Sequence, residues 1–148
     1  FRRRAGQMAD WMEANLKVPC SDLIADGFHP GETLKPVYYS YCQGVVLGAE
    51  VELATAGGDR SRVHRLVSGI ATELATDGVL RGHGGGNGGL FTGILARYLA
   101  LVATVLPTDR PAGKTAERLV LDSGEAAWTH RGRADGGPVF GPQWPLPP

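Results

Sequence analysis

Two stretches of this chain limit its possible folds most: Tyr41-Cys42-Gln43-Gly44-Val45-Val46-Leu47-Gly48-Ala49 and Gly88-Gly89-Leu90-Phe91-Thr92-Gly93-Ile94-Leu95-Ala96-Arg97-Tyr98-Leu99. Each is a polar loop running into a nearly all-apolar helix. A helix that is apolar around most of its circumference belongs in an interior, so the chain predicts an all-α scaffold. Two such helices, each entered through polar residues, predict a polar site at one end of that scaffold.

The remaining helices are one-sided. From Ala5 to Leu16 the apolar positions Ala5, Met8, Ala9, Met12 and Leu16 recur at three and four, with Trp11 beside them. The segment from Lys17 to Pro36 holds Pro19, Gly27, Pro30, Gly31 and Pro36, a density of breakers that reads as a long ordered loop. A second helix runs from Val37 or Tyr38 to Ala56 and stops at Gly57-Gly58. Asp59 caps a third, in which Val63, Leu66, Val67, Ile70, Ala71 and Leu74 share one face. Past the Asp77-Gly78 turn and the glycine loop Gly82 to Gly89, a fourth helix spans Leu90 to Leu106 and ends at Pro107. A fifth, about Gly113 to Arg131, precedes a proline-rich tail. The order is outside, inside, outside, inside, outside. A toroid of helical hairpins in two concentric layers gives this alternation, and so does a four- or five-helix bundle.

Composition narrows the function. Fifteen basic residues balance fifteen acidic ones, so no net field gathers nucleic acid or an anionic membrane, and the run Arg2-Arg3-Arg4 is too short to change that. A neutral ligand such as a sugar fits better than a polyanion. No stretch reaches the roughly 18 uninterrupted apolar residues of a membrane span. Cys20 and Cys42 read as buried or free thiols rather than a disulfide. The chain opens at Phe1 without an initiator Met, so the compartment stays open between secreted and cytoplasmic.

Tyr41 and Gln43 stand where the second helix begins. They offer a ring face for a pyranose and an amide that both donates and accepts, or they satisfy neighbouring backbone groups instead. The run His83-Gly84-Gly85-Gly86-Asn87-Gly88-Gly89 admits three chemical readings and one structural one. A phosphate cradle lacks the Gly-Lys-Ser/Thr ending. An esterase oxyanion loop needs a later Gly-x-Ser-x-Gly elbow, and none follows. A glycine loop can bring backbone close to a sugar, or it can be a plain connector. His29, His64, His83 and His130 have no spacing that sets two ligands on one helical face, so no metal or other cofactor is expected. Glycoside hydrolysis needs paired carboxyl groups. The aspartates here are Asp10, Asp22, Asp26, Asp59, Asp77, Asp109, Asp122 and Asp135, and no two are adjacent. Asp26, in the long loop before Tyr41, is the candidate of interest, with an Asx turn at Gly27 as its structural reading.

Taken in order, these pieces resemble the second half of glycoside hydrolase family 76, the endo-α-1,6-mannanases. Asp22-Leu23-Ile24-Ala25-Asp26-Gly27 resembles the family's Leu-Ile-x-Asp-Gly loop, and Ser40-Tyr41-Cys42-Gln43-Gly44 its Thr-Tyr-Asn-Gln-Gly motif. Leu90 to Leu99 resembles its Phe-Lys-Gly-Ile-Phe-x-Arg-Tyr-Leu helix, and Trp128 with Phe140-Gly141-Pro142-Gln143-Trp144 its closing segment. Cys42 stands where Asn is usual, Thr92 where Lys is, and Asn87 where Asp is common. The resemblance implies an (α/α)6 barrel and hydrolysis of internal α-1,6-mannosidic linkages with retention. It also implies a neighbouring pair of aspartates as nucleophile and acid/base, which lies upstream of the matched region and has no counterpart here.

Residues 1–148 are therefore expected to be the C-terminal part of one (α/α)6 toroid, a partial barrel of about five helices, with no catalytic residue of its own. Asp26, Tyr41, Gln43, Asn87, Phe91 and Arg97 are the expected substrate-binding residues. Arg97, alone on an apolar helix, is expected to be buried against a carboxylate or carbonyls. The expected ligand is α-mannan or a manno-oligosaccharide, and the expected partner is the missing N-terminal half of the barrel. A non-catalytic carbohydrate-binding or scaffold protein is the alternative from another class. A different (α/α)6 sugar enzyme, such as an epimerase or unsaturated-sugar hydrolase, is the third.

Overall fold

The computed structural model describes residues 1–28, 31, 34, 37–106 and 110–148. Five helices carry the fold: α1 (Arg2–Leu16), α2 (Ser40–Thr55), α3 (Ser61–Glu73), α4 (Gly88–Val105) and α5 (Arg110–Thr129). Boundaries differ from the expected ones by a few residues, most at α1 and α5, which begin at Arg2 and Arg110. Pro30, Pro36 and Pro107, expected to break the chain, lie outside the described residues. Two antiparallel hairpins were not expected. In the first, β1 (Ala75–Thr76) pairs with β2 (Val79–Leu80) across Asp77 and Gly78, both at positive φ as a tight two-residue turn requires. In the second, β3 (Gly132–Ala134) pairs with β4 (Gly137–Val139) inside what the sequence shows as a loose tail.

The helices form two layers. α2 and α4 pack on each other, α3 and α5 pack on each other and on this pair, and α1 lies on α2. Gly44 faces Ile94 and Leu95, and Gly48 faces the Tyr98 ring, so α2 and α4 run parallel. A Cβ at Gly44 would sit 3.0 Å from Leu95 Cα, and one at Gly48 would run into the Tyr98 ring. Missing side chains let the two backbones approach this closely. Leu47 and Val51 of α2, Leu95, Leu99 and Val102 of α4, and Val63, Val67 and Ile70 of α3 fill the core with Leu119 of α5.

Ion pairs join α1 to its neighbours beside a thin apolar contact. Only Ala9 of its expected face is buried, and Met8 is 60% exposed. Asp10 pairs with Arg62 at 2.6 Å and Glu13 with Arg65 at 2.7 Å, so α1 and α3 run parallel. Arg62 also reaches Glu50 of α2 at 3.5 Å. Burial pushes the Glu50 carboxyl above its usual range, and the Arg62 guanidinium opposes that shift. At the other end, Arg2 donates to the carbonyl of Ala56, where α2 presents its negative pole. α1 is therefore antiparallel to α2.

α4 departs from expectation in one respect. It buries a single stripe, Thr92, Leu95, Leu99 and Val102, while Leu90 is 70% and Val105 41% exposed. Its outward stripe faces away from both α2 and α5. Arg97 lies on that stripe and is exposed, not buried as expected. Its guanidinium carbon stands 5.7 Å from the Tyr98 ring centroid, and no carboxylate pairs with it among the described residues. With 18 residues and a mean hydropathy of 1.5, α4 is long and apolar enough to cross a bilayer by length and composition, which qualifies the expectation of no span. Here it packs between α2 and α5 as an inner helix.

Gly44→Ala pushes a methyl group against the α4 backbone, which cannot move aside as a flexible side chain can. We expect a loss of about 1–3 kcal/mol of stability, the usual range for overpacking, measured by urea denaturation. An unchanged midpoint would contradict the close seam.

Candidate functional site

Because α2 and α4 are parallel, their N-termini lie at the same end of the molecule. The loop leaving α1 returns to this end. Lys17 bridges to Ile24, Ala25 N–H donates to Leu16 O at 2.8 Å, and Asp26 N–H donates to Val37 O at 2.9 Å. Gln43 fastens the loop to α2. Its Oε1 accepts from Ile24 N–H at 2.8 Å, and its Nε2 donates to Ile24 O at 2.7 Å and Tyr39 O at 3.1 Å. The Gln43 side chain is fully buried, and its amide is engaged on backbone at both ends.

That fastening presents Asp26, exposed, to the first turn of α2. Tyr41 Oη donates to Asp26 Oδ1 at 2.5 Å, and the Cys42 thiol donates to the same oxygen at 3.3 Å. Both protein donors converge on Oδ1. The bond to Asp26 holds the Tyr41 phenol protonated, its pKa raised above the usual phenol range. Burial is the main cause that pushes the Cys42 thiol up to about 11.

Beside the carboxylate stands a group of rings. Tyr41 and Phe91 have centroids 4.5 Å apart, Tyr39 and Phe91 5.6 Å, and Tyr39 stacks on Tyr41 at 5.9 Å with 15° between planes. Phe91 comes from α4 and the tyrosines from α2 and its approach, so the glycine seam sets their spacing. His83 closes the group, 5.9 Å from Tyr39 and 6.0 Å from Phe91. Its Nε2 accepts from Ser40 N–H at 3.2 Å. Burial, with help from Arg81, holds the His83 pKa below its ordinary value. Thr92 Oγ1 donates to Arg81 O at 3.1 Å, fixing the same loop to α4.

The structure thus brings Asp26, Tyr41, Gln43 and Phe91 together. Asn87 is exposed at the N-cap of α4, and its side chain makes no capping bond. Arg97 lies farther along α4, two turns beyond the first. Sequence reasoning gave no role at the site to Tyr39, His83 or Cys42. The signal for His83 was its place at the head of the glycine run, but its partner Ser40 is 43 residues away in sequence. Among the described residues no group of three or more His, Cys, Asp or Glu could hold a metal. Both cysteines are free, Cys20 exposed and Cys42 half-buried. His29 and Asp109, weighed as ligand and carboxylate, lie outside the described residues.

Parallel inner helices, an outer layer running the other way, and a carboxylate with clustered rings at the inner N-termini define a two-layer α/α protein of the toroid class. The model of glycosyl hydrolase family 76 matches residues 2–145. The chain belongs to that family. It is similar to the GH76A α-1,6-mannanase of Salegentibacter sp. (30% identity, TM-score 0.82), covering 99% of this chain and 45% of that one. An inactive variant of that mannanase, with two aspartates replaced by asparagine and α-1,6-mannotriose bound, is equally similar at a TM-score of 0.82. A protein from Listeria innocua matches at 25% identity and a TM-score of 0.79, over 99% of this chain and 42% of its own. Among curated proteins nothing matches. The chain spans about 45% of the length of the mannanase it matches, and the toroid here is partial.

Two outcomes follow from the hydrogen bonds. Gln43→Ala leaves the buried Ile24 N–H and C=O without partners, so we expect stability to fall by about 2–3 kcal/mol, read by chemical denaturation. With a pKa of about 11, Cys42 is only about a thousandth thiolate at pH 8. Alkylation with iodoacetamide at that pH is expected to modify Cys20 first and leave Cys42 largely unmodified, as peptide mass mapping would show.

Proposed function

We propose that this chain forms part of the sugar cleft of a glycoside hydrolase that cleaves internal α-1,6-mannosidic linkages of mannan with retention. The observation that carries this reading is the meeting of Asp26, Tyr41 and Phe91 at the N-terminal ends of two parallel helices. A pyranose ring presents apolar C–H faces and a rim of hydroxyls. The ring group of Tyr39, Tyr41 and Phe91 suits the faces. Asp26 Oδ2, to which no protein donor is directed among the described residues, suits a hydroxyl, and a charged acceptor makes that bond stronger than a neutral one. Asn87 and the glycine loop offer further polar groups on the α4 side. In this reading Gln43 serves the sugar indirectly by setting Asp26, and Arg97 contributes where the mouth widens along the exposed stripe of α4.

The chemical step itself belongs to carboxylates this chain does not supply. Retention uses a nucleophile and an acid/base about 5–5.5 Å apart, and no two aspartates are adjacent in this sequence. The matched mannanase is inactive when two of its aspartates become asparagines, which supports a catalytic pair outside the region present here. The remaining half of the toroid is the proposed partner. It would cover the apolar groove where Met8 and Met12 of α1 face Ala49 and Leu53 of α2.

Isothermal titration calorimetry with α-1,6-mannotriose tests the reading. The wild-type chain is expected to bind, and Asp26→Asn to bind about tenfold more weakly, the scale of one charge-assisted hydrogen bond. Incubation with α-1,6-mannan should give no reducing ends. Turnover by this polypeptide alone, or equal affinity of the variant, would overturn the proposal.

A further inference from the structure

The first turn of α2 carries no side-chain cap of its own. Its N-cap residue is Tyr39, and the Ser40 hydroxyl is buried without a hydrogen-bond partner. An uncapped helix start leaves backbone N–H groups that need acceptors. Here the Ser40 N–H is taken by an imidazole from the head of the glycine loop, 43 residues on. We propose that His83 is a positioning residue that latches the glycine loop onto the mouth of α2, and that it does so only as the neutral imidazole with its proton on Nδ1.

The chemistry is specific to that form. A nitrogen that accepts a backbone N–H cannot carry a proton, and in imidazolium both nitrogens are donors. Protonation therefore turns the 3.2 Å bond into two opposed donors. The ring also wedges against Tyr39 and Phe91, so its release loosens the wall on both sides. The groups facing the ring are Tyr39 on the approach to α2, Phe91 of α4, and Arg81 on its own segment. Asp26, the carboxylate of the cluster, is held on Tyr41. Arg81 and burial both disfavour a charged ring. The native state thus binds fewer protons at His83 than the unfolded chain. The latch's stabilisation is complete above the ordinary histidine value of about 6.5 and is lost as pH falls through the depressed folded value.

Nitrogen-15 NMR on the 148-residue chain tests this directly. At pH 7.5 the His83 Nε2 should show the shift of a bare acceptor nitrogen. The Ser40 amide should move on acidification with the same midpoint as the ring, below about 6.5. A protonated Nε2 at pH 7.5, or a Ser40 amide indifferent to the ring, would overturn the latch. The sugar readout rests on the proposed function, whereas the ring and amide readouts do not. Between pH 7.5 and 5.0, mannotriose affinity should fall about three- to tenfold, the scale of one hydrogen bond. His83→Gln, which keeps an acceptor oxygen but does not titrate, should flatten that dependence, and a pH dependence unchanged in the variant would count against a positioning role. If mannotriose binds at no pH, the sugar reading fails and the ring and amide titration still decides the latch.

Discussion

The close approach of α2 and α4 through Gly44 and Gly48 sets where the polar ends of both helices, and the groups they carry, must lie. Side chains at those positions would hold the helices apart, because Leu95 Cα and the Tyr98 ring occupy the space. The helices are parallel, so their contact gathers two sets of unpaired N–H groups and two positive dipole ends at one place. The same contact sets Tyr41 and Phe91 within 4.5 Å of each other, although they are 50 positions apart in the chain. Widening the seam would move the two rings apart.

Around the seam, polar side chains divide their work. Gln43, Thr92 and Ser123 are buried and bonded to backbone. Gln43 fixes the Ile24 segment, Thr92 ties α4 to Arg81 by donating to its carbonyl, and Ser123 Oγ takes the Leu80 N–H at 3.0 Å. Asp26, Tyr41 and Asn87 are at or near the surface and can meet a ligand. Fixing the loops from behind leaves the front groups few conformations to lose, which is the arrangement a binding site needs. The ion pairs from Asp10 and Glu13 to Arg62 and Arg65 do comparable work at the outer layer, joining α1 to α3 where apolar contact is thin.

Much of this was legible in the sequence because hydrophobic period reports directly on burial. The α3 pattern Val63, Leu66, Val67, Ile70 is the observed buried face, and the polar entries to α2 and α4 do lie at one end. What period cannot show is what depends on a partner distant in sequence. Gly44 and Gly48 read as residues of an apolar helix, and it is the α4 backbone facing Gly44 and the Tyr98 ring facing Gly48 that give them a purpose. The His83–Gly89 run stays open in the sequence among several readings, because Ser40, the partner of His83, lies 43 residues before it. An apolar helix covered all round would bury Arg97, yet among the described residues the helices packed on α4 are α2 and α5, and Arg97 is exposed on the stripe that faces away from both. The hairpins were missed because strands of two or three residues carry no alternation to read.

Recognition of an α-1,6-linked mannoside by the end of the molecule holding Asp26, Tyr39, Tyr41, His83 and Phe91 is what the proposed function requires. Amide chemical-shift mapping with α-1,6-mannotriose, beside the α-1,2-linked isomer as control, addresses it most directly. Linkage-dependent shifts are expected in residues 24–27, 39–43 and 83–91, with the C-terminal ends of α2 and α4 unmoved. Shifts spread along the apolar groove between α1 and α2, or identical responses to the two isomers, would contradict it.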